Sequence, residues 1–348
     1  LNDERDVARA VDALRRGWTV AIDGSAFLAI ETADEAGLAA FDRAGPADIL
    51  ISGNRAVTLK LANQRDAVPT APVRIARTPW TGLAGATAIA DPALDLKTPL
   101  KGPFQTLPLA PHEQAEAALR LARLAGLLPA LFIGGDGSGA VPVSGSAIFE
   151  VAQSASLRIA SRARLPTKFA DHGEIVAFRS EGDASEHVAL VIGESRGEPP
   201  LVRLHSECLT GDVLGSLKCD CGPQLNDALA AIADAGWGIL LYLRQEGRGI
   251  GLVNKLRAYS LQDQGFDTVD ANIRLGFVDD ERDFSVAARM LEALSQQRVR
   301  VLTNNPRKVA GLEAAGIEVV AQVPLKTAGN RHNQAYLDAK RLRSGHTL

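Results

Sequence analysis

Short, largely apolar runs, several followed by a turn and then by helical spacing, recur along the second half of this 348-residue chain. Residues 238–243 read Gly-Ile-Leu-Leu-Tyr-Leu, and a helix is expected over 250–262. A strand that is apolar at nearly every position must be covered on both faces, and strand–helix alternation supplies that cover. The same reading gives strands at 188–192, 201–204, 299–302 and 317–320. It gives helices at 224–233, 284–294 and 306–314, the first with Leu225, Ala228, Leu229 and Ile232 on one face. An α/β domain with partly parallel pairing follows.

The first half carries a similar alternation. Helical spacing over 6–16 (Val7, Ala10, Val11, Leu14) precedes an apolar run at 18–22 that stops at Asp23-Gly24. A helix at 113–124, a buried strand at 130–133, a helix at 146–154 and a strand at 157–160 follow. Between 62 and 112 the periodicity is weak and proline is frequent, so no element is assigned there. The alternation resets near Arg164-Leu165-Pro166-Thr167. The expected architecture is therefore a two-domain mixed α/β (α+β) protein, with domains at 1–162 and 163–348.

Net charge is −3 and the sequence pI is about 6.1, which argues against a broad electrostatic footprint for nucleic acid or anionic membrane. The first residues, Leu1-Asn2-Asp3-Glu4, lack a basic n-region, and the most apolar stretch, 125–134, contains Pro129 and is too short to span a bilayer. All three cysteines fall within fourteen residues, as Cys208, Cys219 and Cys221. With no paired framework they suit a reducing compartment, and a cytoplasmic protein is expected.

The C-x10-C-x-C cluster supplies three thiolates, one short of a closed structural zinc site. Three protein ligands and an open position characterise a catalytic zinc, which brings water into reach of hydrolysis near pH 7. A structural site completed by His205 or Asp220, or three unligated buried thiols, are the alternatives. Arg203, His205 and Glu207 precede the cluster and alternate onto one face of an extended segment. An exposed edge strand of mixed charge would also read this way.

Three further segments are candidates for phosphate or proton chemistry. Arg244-Gln245-Glu246-Gly247-Arg248-Gly249-Ile250-Gly251 places glycines and two arginines between a strand and a helix N-terminus, where backbone can approach an anion. Asp279-Asp280-Glu281-Arg282-Asp283 precedes a helix; Asp283 suits capping, whereas Arg282 sits at the unfavourable end of the dipole. In Thr303-Asn304-Asn305-Pro306-Arg307-Lys308, Asn305 fits an N-cap and Pro306 the first helical position, with two cations at a helix start. Tyr259, on the helix after the glycine loop, faces either a pocket or the core. Together these features point to hydrolysis of a small phosphorylated substrate.

Four strings carry a specific resemblance: RLHSECLTGDVLGSLKCDCGPQL (203–225), LRQEGRGIGLVNKLRAYSLQDQGFDTVDAN (243–272), LGFVDDERDF (275–284) and VLTNNPRKVAGLEAAGI (301–317). In order and spacing they resemble GTP cyclohydrolase II, from about residue 165 to 336. The resemblance implies conversion of GTP to 2,5-diamino-6-ribosylamino-4(3H)-pyrimidinone 5′-phosphate, formate and pyrophosphate, the first step of riboflavin synthesis. It implies one Zn2+ per subunit on Cys208, Cys219 and Cys221, and Mg2+ with the triphosphate. It makes Asp280 the proton acceptor, Tyr259 an assistant at the base, and Arg282 a nucleophile at the α-phosphorus. A guanidinium stays protonated in proteins, so a transition-state clamp is the alternative for Arg282. Arg203, Leu204, His205, Ser206, Glu207, Gln224, Glu246, Gly247, Arg248, Thr268, Thr303 and Lys308 would line the GTP site. A homodimer is implied as well.

The segments ALRRGWTVAIDG (13–24), HEQAEAALRLARLAGLLPALFIGG (112–135) and FEVAQSASLRIASRARLPT (149–167) more faintly resemble 3,4-dihydroxy-2-butanone 4-phosphate synthase, a frequent fusion partner. That enzyme needs an acidic loop of the Asp-Asp-Glu-Asp-Arg-Glu-Asn-Glu type. Here the place reads Asp23-Gly24-Ser25-Ala26-Phe27-Leu28-Ala29-Ile30, with one carboxylate where a hard divalent cation needs several oxygens. Its Arg-x-Gly-His-Thr-Glu-Ala segment has become Leu109-Ala110-Pro111-His112-Glu113-Gln114-Ala115. The first domain is thus expected to keep a butanone-synthase-like α/β fold without the activity, serving stability, dimer contacts or regulation.

Overall fold

A computed structural model describes residues 3–154, 157–180, 185–195 and 197–325, apart from 62–63, 65 and 68–69. The far end of the predicted second domain, 326–348, lies outside the described residues.

The first sheet has strands β1 (Val20–Ile22), β2 (Ser25–Ala29), β3 (Asp48–Ile51), β4 (Val73–Ile75), β5 (Thr106–Leu107), β6 (Ala130–Ile133) and β7 (Val141–Val143). Their order is β5-β4-β3-β6-β2-β1-β7, antiparallel throughout except for the β1–β7 pair. β1 and β2 form a two-residue hairpin. Its central residues Asp23 and Gly24 take φ of 46° and 88°, the left-handed pair whose twist matches the flanking strands. Helices α1 (Asp3–Arg15), α2 (Glu35–Phe41), α3 (Gly53–Thr58), α4 (Leu83–Ala90), α5 (His112–Leu124) and α6 (Gly145–Ser154) complete this part. The core places Val7, Ala10 and Leu14 of α1 with Ala118, Leu119 and Leu121 of α5 against Val20, Phe27 and Leu131 of the sheet. Apolar residues recur on α1 at helical spacing, which is why the helix expected over 6–16 is found, starting three residues earlier at Asp3 where the first turn is acidic rather than apolar. The stretch with weak periodicity holds α4, β4 and β5; the two strands are three and two residues long.

The second sheet comprises β8 (Leu157–Arg164), β9 (Gly173–Ser180), β10 (His187–Gly193), β11 (Leu201–Ser206), β12 (Trp237–Leu243), β13 (Arg298–Leu302) and β14 (Glu318–Val323), in the order β14-β13-β11-β12-β10-β9-β8. β14, β13, β11 and β12 are parallel, while β10, β9 and β8 add antiparallel strands at one side. Helices α7 (Cys221–Asp234), α8 (Gly251–Asp263), α9 (Thr268–Arg274), α10 (Ser285–Ala293) and α11 (Pro306–Ala314) connect them. The expected mixture of parallel pairing and helical crossovers is present. Val202 and Leu204 of β11 enter one apolar layer with α10 and α11, while Leu201 enters the other with Ala228, Leu229 and Ile232 of α7. β11 lies between β12 and β13, so the reading of its charged face as an exposed edge strand does not hold.

The chain forms two compact units: Leu1–Ala155 with Val253–Glu281, and Ser156–Leu252 with Arg282–Leu348. Most of α8 and all of α9 therefore belong to the first unit, although in sequence they lie between β12 and β13 of the second sheet.

Candidate metal and nucleotide site

Three loops of the second unit leave the carboxyl ends of adjacent parallel strands, where open α/β sheets bind ligands. Cys208 follows β11, Glu246-Gly247-Arg248 follows β12, and Thr303 to Lys308 follows β13.

After β11 the chain enters a single π-type turn, Leu209–Val213, and returns through Cys219 to Cys221, the first residue of α7. The three sulfurs lie within 4.8 Å of one another, with Cys208 Sγ 3.7 Å from Cys219 Sγ, and none of the three is in a disulfide. Tetrahedral coordination at a Zn–S distance of about 2.3 Å places sulfurs about 3.8 Å apart, so the donor set fits a soft divalent metal. A Cβ on Gly211 would meet Cys219 Sγ at 2.8 Å and Cys208 Sγ at 3.1 Å, so glycine keeps the space between the thiols open. Mutual hydrogen bonding with Cys208 and Cys219, then burial, push the Cys221 thiol well up. A metal would reverse that balance by binding the thiolates directly.

A fourth protein ligand from His205 or Asp220 is not in place. His205 Nε2 is taken by both oxygens of Asp212 at 3.1 Å, and Asp220 Oδ2 accepts from Gln224 Nε2 at 2.6 Å. Among the described residues, the metal-ligating group consists of the three cysteines. The set is that of an open site.

Cations are held on and beside β11, the strand that leads into this cluster. Arg203 is buried, donating to Leu302 O at 3.0 Å and to Gln224 Oε1 at 2.7 Å, while its Nε is left without a partner. Burial lowers its pKa to about 10, so it remains a cation at neutral pH. Lys308 Nζ, buried, donates to Leu204 O at 2.6 Å. Arg282 reaches Ser206 Oγ at 3.4 Å, with its guanidinium 5.1 Å from the Phe284 ring centroid. Glu207 is bridged to Arg244 at 2.8 Å, and burial pushes its carboxyl up. Thr303 is buried and its hydroxyl accepts from Asn305 N. Asn305 and Pro306 form the expected cap and first helical position of α11. Asp283 accepts from Ser285 N at 2.8 Å, but the cap position of α10 read for it is taken by Phe284, one residue later.

The glycine–arginine loop is built on left-handed backbone. Gly247, Arg248, Gly249 and Gly251 have φ of 64°, 62°, 90° and 84°. For Arg248 this costs about 1–2 kcal/mol, a strain that concentrates at functional loops. Glu246, expected among the substrate-lining residues, is committed to protein contacts: Oε2 accepts from Leu209 N at 2.7 Å and Oε1 from Gly247 N at 3.0 Å. Its carboxylate therefore ties the cysteine loop to the glycine loop.

Tyr259, Thr268 and Asp280 belong to the first unit. Tyr259 lies half-buried on α8, with Lys255 Nζ 5.7 Å from its ring centroid. Thr268 Oγ1 accepts from Gln262 Nε2 at 3.0 Å, and Asn272 Nδ2 holds Asp279 O beside Asp280.

Asp212, Gly211, Tyr242 and His187 were not singled out by the sequence. Tyr242 donates to Asp212 Oδ2 at 2.9 Å and stacks on His205, with centroids 5.6 Å apart. Buried His187 accepts Arg244 N on Nδ1 at 3.1 Å, fixing the start of the glycine loop. Asp212 and Gly211 sit inside the cysteine spacing and were visible there; His187 and Tyr242 carry no local signal.

The GTP cyclohydrolase II family profile matches residues 158–324. A GTP cyclohydrolase-2 of Azospirillum brasilense is 43% identical over 365 residues, covering 98% of this chain and 94% of that protein. A GTP cyclohydrolase-2 of Actinobacillus succinogenes is 54% identical over 195 residues, 56% of this chain and 89% of that protein. A riboflavin biosynthesis protein RibBA of Bacillus cereus (strain ATCC 10987) is 55% identical over 185 residues, and the match spans 53% of this chain and 46% of the RibBA protein. A solved structure of RibBX, a two-domain 3,4-dihydroxy-2-butanone 4-phosphate synthase from A. baumannii, matches 92% of this chain and 99% of that chain at 18% identity. The TM-score of that match is 0.30. Among the described residues, no helix is long and apolar enough to cross a membrane.

Proposed function

This chain belongs to the GTP cyclohydrolase II family, and from that premise we propose that it hydrolyses GTP to 2,5-diamino-6-ribosylamino-4(3H)-pyrimidinone 5′-phosphate, formate and pyrophosphate. The observation that carries this reading is the open three-thiol cluster at the carboxyl end of β11, the strand that supplies Arg203 and whose Leu204 and Ser206 are contacted by Lys308 and Arg282. Two C8–N bonds and one P–O bond are cleaved, each consuming one water.

Cys208, Cys219 and Cys221 would hold one Zn2+, which when bound supplies Lewis-acid activation of water near neutral pH. The protein's own residues do the rest. Arg203 and Lys308 are held as cations by backbone carbonyls, so they attract a triphosphate without reorganising when it arrives. Arg282 clamps the α-phosphoryl group as pyrophosphate leaves, with Mg2+ accompanying the triphosphate. Leu204, His205, Ser206, Glu207, Gln224, Gly247, Arg248, Thr268 and Thr303 line the nucleotide site. Glu246 contributes by fixing the two loops. Asp280 accepts the proton during ring opening, and Tyr259 assists at the base. The active form is a homodimer. The first domain, read from the sequence as 1–162, is butanone-synthase-like and has lost its own reaction, with β8 from Leu157 onward belonging to the second sheet.

Zinc content and formate release test this together. Wild-type protein should hold one zinc per chain and release formate from GTP with Mg2+, and Cys219→Ser should lose both. Formate release by a Cys219→Ser protein free of zinc would sink the reading.

A further inference from the structure

The segment 253–281 carries Tyr259, Thr268 and Asp280, yet it packs within the first unit. Its attachments are polar, buried and distant in sequence. On α8, Arg257 Nε donates to Asp91 Oδ2 at 3.0 Å and its Nη1 to Glu31 Oε1 at 2.9 Å and Asn254 Oδ1 at 2.8 Å. Fully buried Asn254 donates to Gly126 O at 3.0 Å. Beyond α9, Phe277 O accepts from Asn54 Nδ2 at 2.8 Å. A Cβ on Gly276 would come within 2.6 Å of Ser52 Oγ and 2.9 Å of Pro129 Cγ, so the chain passes close over these residues.

Asn254, Arg257, Ala258 and Leu261 share one face of α8, and the apolar members Ala258 and Leu261 are buried. Val253 and Leu256, on other faces, are about half exposed. A helix is rigid over thirteen residues, so pinning that face fixes the azimuth and height of every other side chain on it, Tyr259 included. Arg257 is the strongest pin: one guanidinium between two carboxylates, all three side chains below 20% exposed. A Lys there would reach one partner at a time.

We infer that residues 31–129 of the first unit act as a docking platform for the segment bearing Tyr259, Thr268 and Asp280, with Arg257 as its principal positioning residue. The inference rests on the cyclohydrolase reading for the roles of those three residues. It gives the first part of the chain a task in the reaction without requiring any chemistry of its own.

The test uses full-length, zinc-loaded protein: wild type, Arg257→Ala, Arg257→Lys and Glu31→Gln. Hydrogen exchange over 253–263 is measured beside kcat and KM for formate release. The expected result is faster exchange of that segment in Arg257→Ala, with kcat down about 100-fold, the scale of a small misplacement remote from the chemistry. Zinc content stays at the wild-type level, because the cysteines lie in the second unit. Arg257→Lys and Glu31→Gln should fall between wild type and Arg257→Ala, and they carry the test if Arg257→Ala does not fold. Unchanged exchange over 253–263, or unchanged kcat in a folded variant with faster exchange, overturns the inference. No formate from wild type would instead overturn the cyclohydrolase reading.

Discussion

Asp212 accepts the backbone N–H of Cys208 at 3.0 Å. The same carboxylate receives His205 Nε2 and the Tyr242 hydroxyl, so one buried side chain joins the cysteine turn to β11 and β12. The Nε2–H tautomer of His205 is thereby favoured, and burial lowers the imidazole pKa and keeps it neutral.

Asp212→Ala should weaken zinc binding by about 10- to 100-fold, the usual cost of removing a partner that orients a ligand. Asp212→Asn keeps the volume and one acceptor oxygen, and its amide can donate to His205 Nε2 once the ring switches tautomer. Its loss should be smaller. Competition against a chromophoric chelator gives the affinities, and wild-type affinity in a folded Asp212→Ala protein would refute the claim.

Gly211→Ala puts a methyl group into the space between the sulfurs. The thiols must spread to admit it, so zinc affinity should drop while the melting temperature of the metal-free protein changes little. Metal content after dialysis against a weak chelator is the readout.

In the first unit, Arg55 is fully buried and binds Asp95 through two parallel hydrogen bonds of 2.9 and 2.7 Å, with Lys101 also paired to Asp95. Burial alone would raise the Asp95 pKa; Arg55 and then Lys101 outweigh it and hold the carboxyl below its ordinary value. A depressed folded-state pKa contributes stability that is present above the unfolded value of about 3.9 and is lost as pH falls through the folded one. Asp95→Asn should cost about 3 kcal/mol at pH 7 by stranding a buried guanidinium. Denaturant titrations of the two proteins should converge below about pH 4; a pH-independent gap would contradict this account.

Both carboxylate oxygens of Asp23 face the Gly145 N–H, at 3.2 and 3.1 Å, so the one acid of the segment 23–30 is spent on the start of α6. No turnover of ribulose 5-phosphate is expected. Asp23→Ala should lower stability by about 0.5–2 kcal/mol, as loss of a helix cap does, and leave formate release intact. Turnover above a heat-treated control would show that the first domain keeps its chemistry.

Much of the second unit is legible in the sequence because β10 and β12 are near-continuous apolar runs, β11 and β13 keep apolar residues at alternate positions, and α7, α10 and α11 have one-sided apolar faces. β4 and β5 are too short for periodicity to register. The cysteine spacing and the Asn305-Pro306 helix start were readable because each depends on neighbours in the chain. Arg257 was not: its carboxylate partners lie 226 and 166 residues away, and the sequence around α8 resembles the cyclohydrolase half rather than the unit it joins. The contacts of Glu246 to Leu209 and Gly247 were not legible, because they come from the meeting of two loops that only the fold brings together.

The most direct measurement of the central claim is an anaerobic assay of zinc-loaded protein with GTP and Mg2+, following formate and pyrophosphate in the same reaction. The account predicts the two in equimolar amounts, with formate lost in Cys219→Ser. Pyrophosphate without formate, or neither product, would contradict it.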